Sequence, residues 1–294
     1  MNRNRVGCVV LFATLLGFAS ADEVGYGVIA TIAFPGAVST TPFGINNSGQ
    51  IVGFYSNSED QTYPFLYSAG NYFTLPVVMT YLGAGAYGIN DSGQIVGSYL
   101  FLSGFVDTAG TVVDINFPGT GHTVTQALGI NNSGEIVGSY QDSTGSHGFL
   151  DVGGTFTTID SPLGGSTLEG INNFGQIVGD SFIDTAGSFT TINYPGSSET
   201  LSFGINDSGQ VVGTYTLGNI NYGFVYSDGN FSTVNIPGMV SITGINNSGE
   251  IVGSNGLDGF LAVPVPAPEP NLLIPLTISL LGLLAFFRRR FGSD

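Results

Sequence analysis

From residue 28 to residue 262, apolar positions come in short runs rich in Val, Ile, Thr, Phe and Tyr, each broken by a cluster of Asn, Ser, Asp and Gly. Runs of about four to six residues bounded by turn formers predict β-strands. The pattern recurs. Gly-Ile-Asn starts at Gly44, Gly88, Gly129, Gly170, Gly204 and Gly244, at spacings of 44, 41, 41, 34 and 40 residues. A turn and then Ile-Val-Gly or Val-Val-Gly follow each block. Farther along comes an aromatic triplet ending at Phe65, Phe105, Phe149, Phe182, Phe224 or Phe260, and then a closing segment such as VVDINFPG or FTTINYPG. Each unit of roughly 40 residues therefore reads as four short strands.

The repeated stretch GINNSGEIVGSY, 129–140, has the look of a catalytic loop but reads better as a hairpin connection. Asn-Asn-Ser-Gly supplies turn formers between two β runs, with glycine where a positive φ is needed. Gly138 and its counterparts are expected to let neighbouring sheets approach closely. Five of these turns also match the Asn-x-Ser glycosylation pattern, as at Asn46 and Asn131, but the turn accounts for the residues more fully. Calcium is the other rival ligand. It takes about six to eight oxygens including several carboxylates, and these loops carry at most one acid each.

Four-stranded units suggest a propeller or a stacked solenoid. The last unit stops after DGFLAV without a fourth strand, while VIATIAFPG, 28–36, has no unit before it. Pairing the two closes a ring and removes exposed edges, so the expected fold is all-β, a six-bladed propeller of four-stranded repeats over 22–262. The blade at Gly170 is short because it lacks most of the link between its second and third strands. Turns between strands one and two and between three and four share one face; the links that vary share the other. Variable loops on a rigid scaffold are where binding concentrates. The candidates are Glu59, Asp60, Tyr63, Asp142, His147, Asp180, Asn219 and Tyr222.

The two ends differ in kind. Arg3 and Arg5, an apolar stretch from Val6 to Phe18, and Ala19-Ser20-Ala21 form a secretory signal over 1–21, with cleavage before Asp22. A Pro-rich linker at 263–271 precedes an apolar run, Leu272 to Phe287, that would span about 24 Å as a helix, and then Arg288, Arg289 and Arg290 in a tail at 288–294. The positive-inside rule puts those arginines in the cytoplasm. The mature chain has no cysteine, since Cys8 lies in the leader.

This tail resembles the PEP-CTERM sorting signal of exopolysaccharide-producing Gram-negative bacteria: Pro268-Glu269-Pro270, a short transmembrane helix and an arginine cluster, in that order. The resemblance implies processing by an exosortase, a single membrane span before processing, and delivery to the cell surface or extracellular matrix. The units resemble the extracellular HAF repeat, Gly-Ile-Asn-Asn-x-Gly-x-Val-Val-Gly followed by His-Ala-Phe-Leu. Only His147-Gly148-Phe149-Leu150 keeps the histidine of that triplet.

Charge narrows the function. No Lys or Arg stands between Asp22 and Glu269, against twenty of the chain's 21 carboxylates. Nucleic-acid backbones and anionic lipid surfaces are thereby excluded as natural partners. Two histidines, no thiol and no metal-ligand spacing offer little for catalysis. Joined to what the resemblance of the tail implies, this leads to the expectation of a non-enzymatic surface or matrix protein without a cofactor, associated with exopolysaccharide or adhesion. The alternatives are a surface glycan hydrolase or lyase using loop carboxylates, and a calcium-binding surface scaffold.

Overall fold

The computed structural model describes residues 23–76, 83–99, 103–119, 124–163, 167–239 and 241–265. The expected leader with Ala19, Ala21 and Asp22, the sorting motif Pro268-Glu269-Pro270, the apolar run and Arg288 to Arg290 lie outside these residues, as does His122. No helix long and apolar enough to cross a membrane occurs among the described residues.

The strands form six sheets, each an antiparallel meander apart from one added edge. Blade 1 comprises Ser39–Ile45, Ile51–Ser56, Thr62–Ser68 and Asn71–Thr74; blade 2, Ala84–Ile89, Ile95–Tyr99, Gly104–Thr108 and Thr111–Ile115; blade 3, Thr125–Ile130, Ile136–Gln141, Ser146–Val152 and Thr155–Ile159. Blade 4 comprises Gly170–Ile171, Gln176–Gly179, Phe182–Thr185 and Ser188–Thr191, with only Asp180 and Ser181 between its middle strands. Blade 5 comprises Glu199–Ile205, Val211–Leu217, Ile220–Ser227 and Asn230–Val234. Blade 6 takes three strands from the end of the chain, Ser241–Ile245, Ile251–Ser254 and Gly259–Pro264, and its fourth from the start, Tyr26–Ile32. The spare N-terminal strand thus closes the last blade. One feature was not anticipated: Glu23–Val24 pairs in parallel with the outer strand of blade 5, so residues 23–32 clasp two blades.

Packing runs between blades rather than within them. The phenylalanines that end the aromatic triplets are buried, five of them completely. Each of six core clusters takes one valine of the Ile-Val-Gly segment from the preceding blade: Val52 packs with Ala84, Ile95 and Phe105 of blade 2, and Val252 with Ile32, Ile45 and Phe65 around blade 1. A side chain that is the edge of one core and the filling of the next couples the blades, so no blade buries its apolar face alone.

The turn now has a full account. Asn131 Oδ1 accepts the N–H groups of Ser133 and Glu135 at 3.0 Å each, and Gly134 takes a φ of 78°. Asn131 Nδ2 then donates to the carbonyl of Asn172 in the next blade at 3.2 Å. The same bond runs from Asn46 to Asn90, Asn90 to Asn131, Asn172 to Asn206, Asn206 to Asn246 and Asn246 to Asn46. A second circle lies outside it, in which each following residue donates its backbone N–H to the Asn or Asp side chain of the next blade: 47 to 91, 91 to 132, 132 to 173, 173 to 207, 207 to 247 and 247 to 47. These asparagines are structural. Asn46 and Asn131 are 3% and 4% exposed, which leaves no access for glycosylation.

The expected role of Gly138 is corrected. A Cβ there would strike the Gln126 carbonyl and the Phe149 ring, both in its own blade. Close approach between blades falls to the glycine of Gly-Ile-Asn: a Cβ on Gly129 would stand 3.0 Å from Gly170 Cα.

Candidate functional site

One face of the disc carries the Asn turns, and the other carries the variable links. On the variable face, three equivalent aromatic ladders occur at alternate blades. Phe34 stacks on Tyr55 at 3.7 Å between ring centroids, and Tyr55 on Tyr63 at 5.3 Å. Phe117, Tyr140 and His147 repeat the arrangement at 3.7 and 5.2 Å, and Tyr194, Tyr215 and Tyr222 at 3.6 and 5.3 Å. Sequence order explains the geometry. The first ring sits in the link entering the blade, its N–H held by Thr40, Thr125 or Thr200. The second stands one or two residues before the end of the second strand and is tied through its hydroxyl to Thr74, Thr158 or Thr233. The third is the direct cross-strand partner of the second. The outermost rings, Tyr63, His147 and Tyr222, are only partly buried. In the link from blade 5 to blade 6, Ile236 takes the place of the first ring.

Around these ladders the candidate acids separate. Asp60, with a φ of 58°, sits in a link organised by Asn57, which accepts from Glu59 and Gln61. Asp142 and His147 do come together: His147 Nε2 lies 3.3 Å from Asp142, and Nδ1 lies 2.9 Å from Asp160. Thr144 joins them, with its hydroxyl 2.8 Å from His147 Nε2. The Asp160 hydrogen bond, aided by both negative charges, raises the His147 pKa above the ordinary histidine value. Hydrogen bonds from Thr144 hold Asp142 below the usual carboxylate range. Asn219 is exposed in the turn of blade 5.

Asp180 lies apart from these, close to Glu169 of the central channel. There a cavity of 410 Å³ is rimmed by the residues preceding Gly-Ile-Asn: Phe43, Tyr87, Leu128, Glu169, Phe203 and Thr243. Five of the six are bulge residues, skipped in pairing between the first two strands, and a bulge re-aims a side chain out of its sheet. At the far end the Asn circle narrows the channel. Burial and the charge of Asp180 raise Glu169 to about 7. Beside it, Ser202 donates its backbone N–H to the Asp180 carbonyl at 2.6 Å, while its fully buried hydroxyl has no hydrogen-bond partner.

Glu169 did not figure among the candidates, although the column Phe, Tyr, Leu, Glu, Phe, Thr marks it as the one charge in that position. The first rungs were also missed, despite the repeated Phe-Pro-Gly and Tyr-Pro-Gly endings. No group of three or more His, Cys, Asp or Glu side chains suited to a metal ion occurs among the described residues.

No family model matches the chain, and no curated protein sequence matches it. Among solved structures it is similar to an Aleuria aurantia lectin variant in complex with alpha-methyl-L-fucoside, at 13% identity and a TM-score of 0.44, over 82% of this chain and 99% of that one. It is also similar to YCF48 bound to D1 peptide, at 13% identity and a TM-score of 0.46, over 85% of this chain and 100% of that one. The six-bladed propeller is assigned from the chain's own sheet order and its closed hydrogen-bond circles.

Proposed function

We propose that the protein is a non-enzymatic, multivalent binding propeller of the cell surface or extracellular matrix, and that its variable face takes polysaccharide. The observation that carries this reading is the threefold recurrence of the aromatic ladder. Packed rings fixed from behind by threonine hydroxyls are rigid platforms, amphipathic at the outer rung and suited to the alternating C–H and O–H surfaces of sugars. Repetition on one face suits a repeating polymer, because each further contact is made at high effective concentration. Asp60, Asp142 and Asp180 lie in different blades, and the neighbouring carboxylates Asp142 and Asp160 are both engaged by His147, which supports binding over hydrolysis by a pair of loop carboxylates.

The exit of the chain supports display. Val265 donates to the Gly25 carbonyl at 2.9 Å, and Tyr26 donates through its hydroxyl to Gly249, in an Asn turn, at 3.2 Å. The described chain therefore leaves on the Asn face. A sorting tail with a membrane span, as the PEP-CTERM resemblance implies, would turn the variable face away from the membrane and toward the polysaccharide layer. Binding of the purified protein to envelope polysaccharides tests the reading. Absence of binding to all of them would end it.

A further inference from the structure

We infer that the mouth of the central channel is a binding site for a small organic ammonium ion, whose charge rests on the Glu169 carboxylate and whose apolar body lies among Phe43, Tyr87, Leu128 and Phe203. This site is separate from the ladders and independent of the polysaccharide reading.

The first observation is the absence of a fixed counter-ion. All five basic side chains of the lysine and arginine type are at positions 3, 5 and 288 to 290, so none lies within the propeller. Among the described residues His147 is the one other group able to become cationic, and it lies between Asp142 and Asp160. Glu169 therefore stands on a channel wall with a negative neighbour and no positive one. An ionised carboxylate so placed must take a proton or take a cation from solution.

The second observation is the wall itself. Phe43 and Tyr87 meet edge to face at 5.0 Å, and both, with Phe203, border the same 410 Å³ cavity as the carboxylate. Aromatic faces attract ammonium groups, most strongly where water is displaced, and a cavity of this size falls within the range that encloses small ligands. A divalent metal fits less well, since it wants several carboxylate or carbonyl oxygens and the rim offers one acid with Asp180 behind it. An anion is opposed by both acids.

Proton and ligand compete for one carboxylate. The ionisable groups near Glu169 are Asp180, from the link of blade 4, and Tyr87, from blade 2; the remaining rim residues do not ionise in the working range. With Glu169 at about 7, affinity for a cation falls about tenfold from pH 8 to pH 6.

Calorimetric titration of the purified full-length protein with phenethylammonium chloride, and with the neutral isostere 2-phenylethanol, tests the site. Saturable binding of the ammonium alone is expected, weakened at least tenfold in Glu169→Gln, weakened about tenfold at pH 6, and unchanged in Tyr222→Ala on the variable face. Equal binding of the neutral isostere, undiminished binding by Glu169→Gln, or no binding overturns the inference. Calcium binding in place of the ammonium would overturn it too. Glu169→Gln keeps the shape of the side chain, and a melting temperature at or above the parent's shows that any lost binding is not lost folding.

Discussion

The side chain of Asn246 donates to the carbonyl of Asn46 at 3.3 Å, across 200 residues of sequence. With the Asn247 to Asn47 bond and the Thr243 hydroxyl on the Pro42 carbonyl, it joins the last blade to the first, whereas each of the other five bonds of the circle joins blades that are neighbours in the chain. Asn246→Ala and Asn131→Ala each remove a buried inter-blade donor and also orphan the turn N–H groups that its Oδ1 accepts. A loss of about 2–4 kcal/mol is expected for either, read as a lower urea midpoint at constant slope. Asn132→Ala, on the exposed outer circle, is expected to cost about 1 kcal/mol.

The two ends of the propeller lie side by side at Gly25 and Val265. Joining them with a short linker and opening the chain between Gly218 and Asn219, an exposed turn, is expected to give a folded permutant. Deleting Glu23 to Pro35 instead leaves blade 6 with an open edge. That variant is expected to aggregate, which sedimentation velocity will report.

Ala109 and Ala186 each take a φ of 52° in the tight turns between the outer strands, followed by Gly110 and Gly187 at 85°. Positive φ at both central residues favours Asn-Gly, and alanine there is strained by about 1 kcal/mol. Ala109→Asn and Ala186→Asn are each expected to raise the melting temperature by about 2–4 °C.

Two groups of carboxylates set opposite pH trends. Asp91 and Asp207 are raised by partial burial, but their bonds from Asn side chains and backbone N–H groups outweigh it and leave both below the ordinary value. Their contribution is present above the unfolded value of 3.8 and is lost as pH falls through the folded values. Glu169 runs the other way, since its folded value of about 7 lies above the unfolded 4.5: the native state holds the extra proton, and stability declines as pH rises from 4.5 to 7. Thermal melts of the parent and of Glu169→Gln across that range should diverge by an amount on the order of 2 kcal/mol, with the variant the more stable at pH 8.

The ring was legible because closure leaves a mark on the sequence: a strand at 28–36 with no partner at one end and a three-stranded unit at the other. The short link at Asp180 was legible for the same reason, as a deletion against a fixed period. The two hydrogen-bond circles were not. Asn131 reads equally well as a turn former, and only the juxtaposition of six turns shows that its second hydrogen-bonding group reaches the next blade. Tyr63, His147 and Tyr222 were singled out one by one as loop residues; their equivalence is a matter of cross-strand register with Tyr55, Tyr140 and Tyr215, which periodicity does not supply. Gly138 shows the limit most plainly. A glycine required by crowding gives no hint of which neighbour crowds it.

The most direct measurement is the binding of purified envelope polysaccharide to the parent protein and to Tyr63→Ala, His147→Ala and Tyr222→Ala, singly and combined, by biolayer interferometry with melting temperatures checked in parallel. Three platforms acting on one polymer predict a modest loss in each single variant and a collapse of avidity, about a hundredfold or more, when all three are removed. Undiminished binding by the folded triple variant would contradict the account.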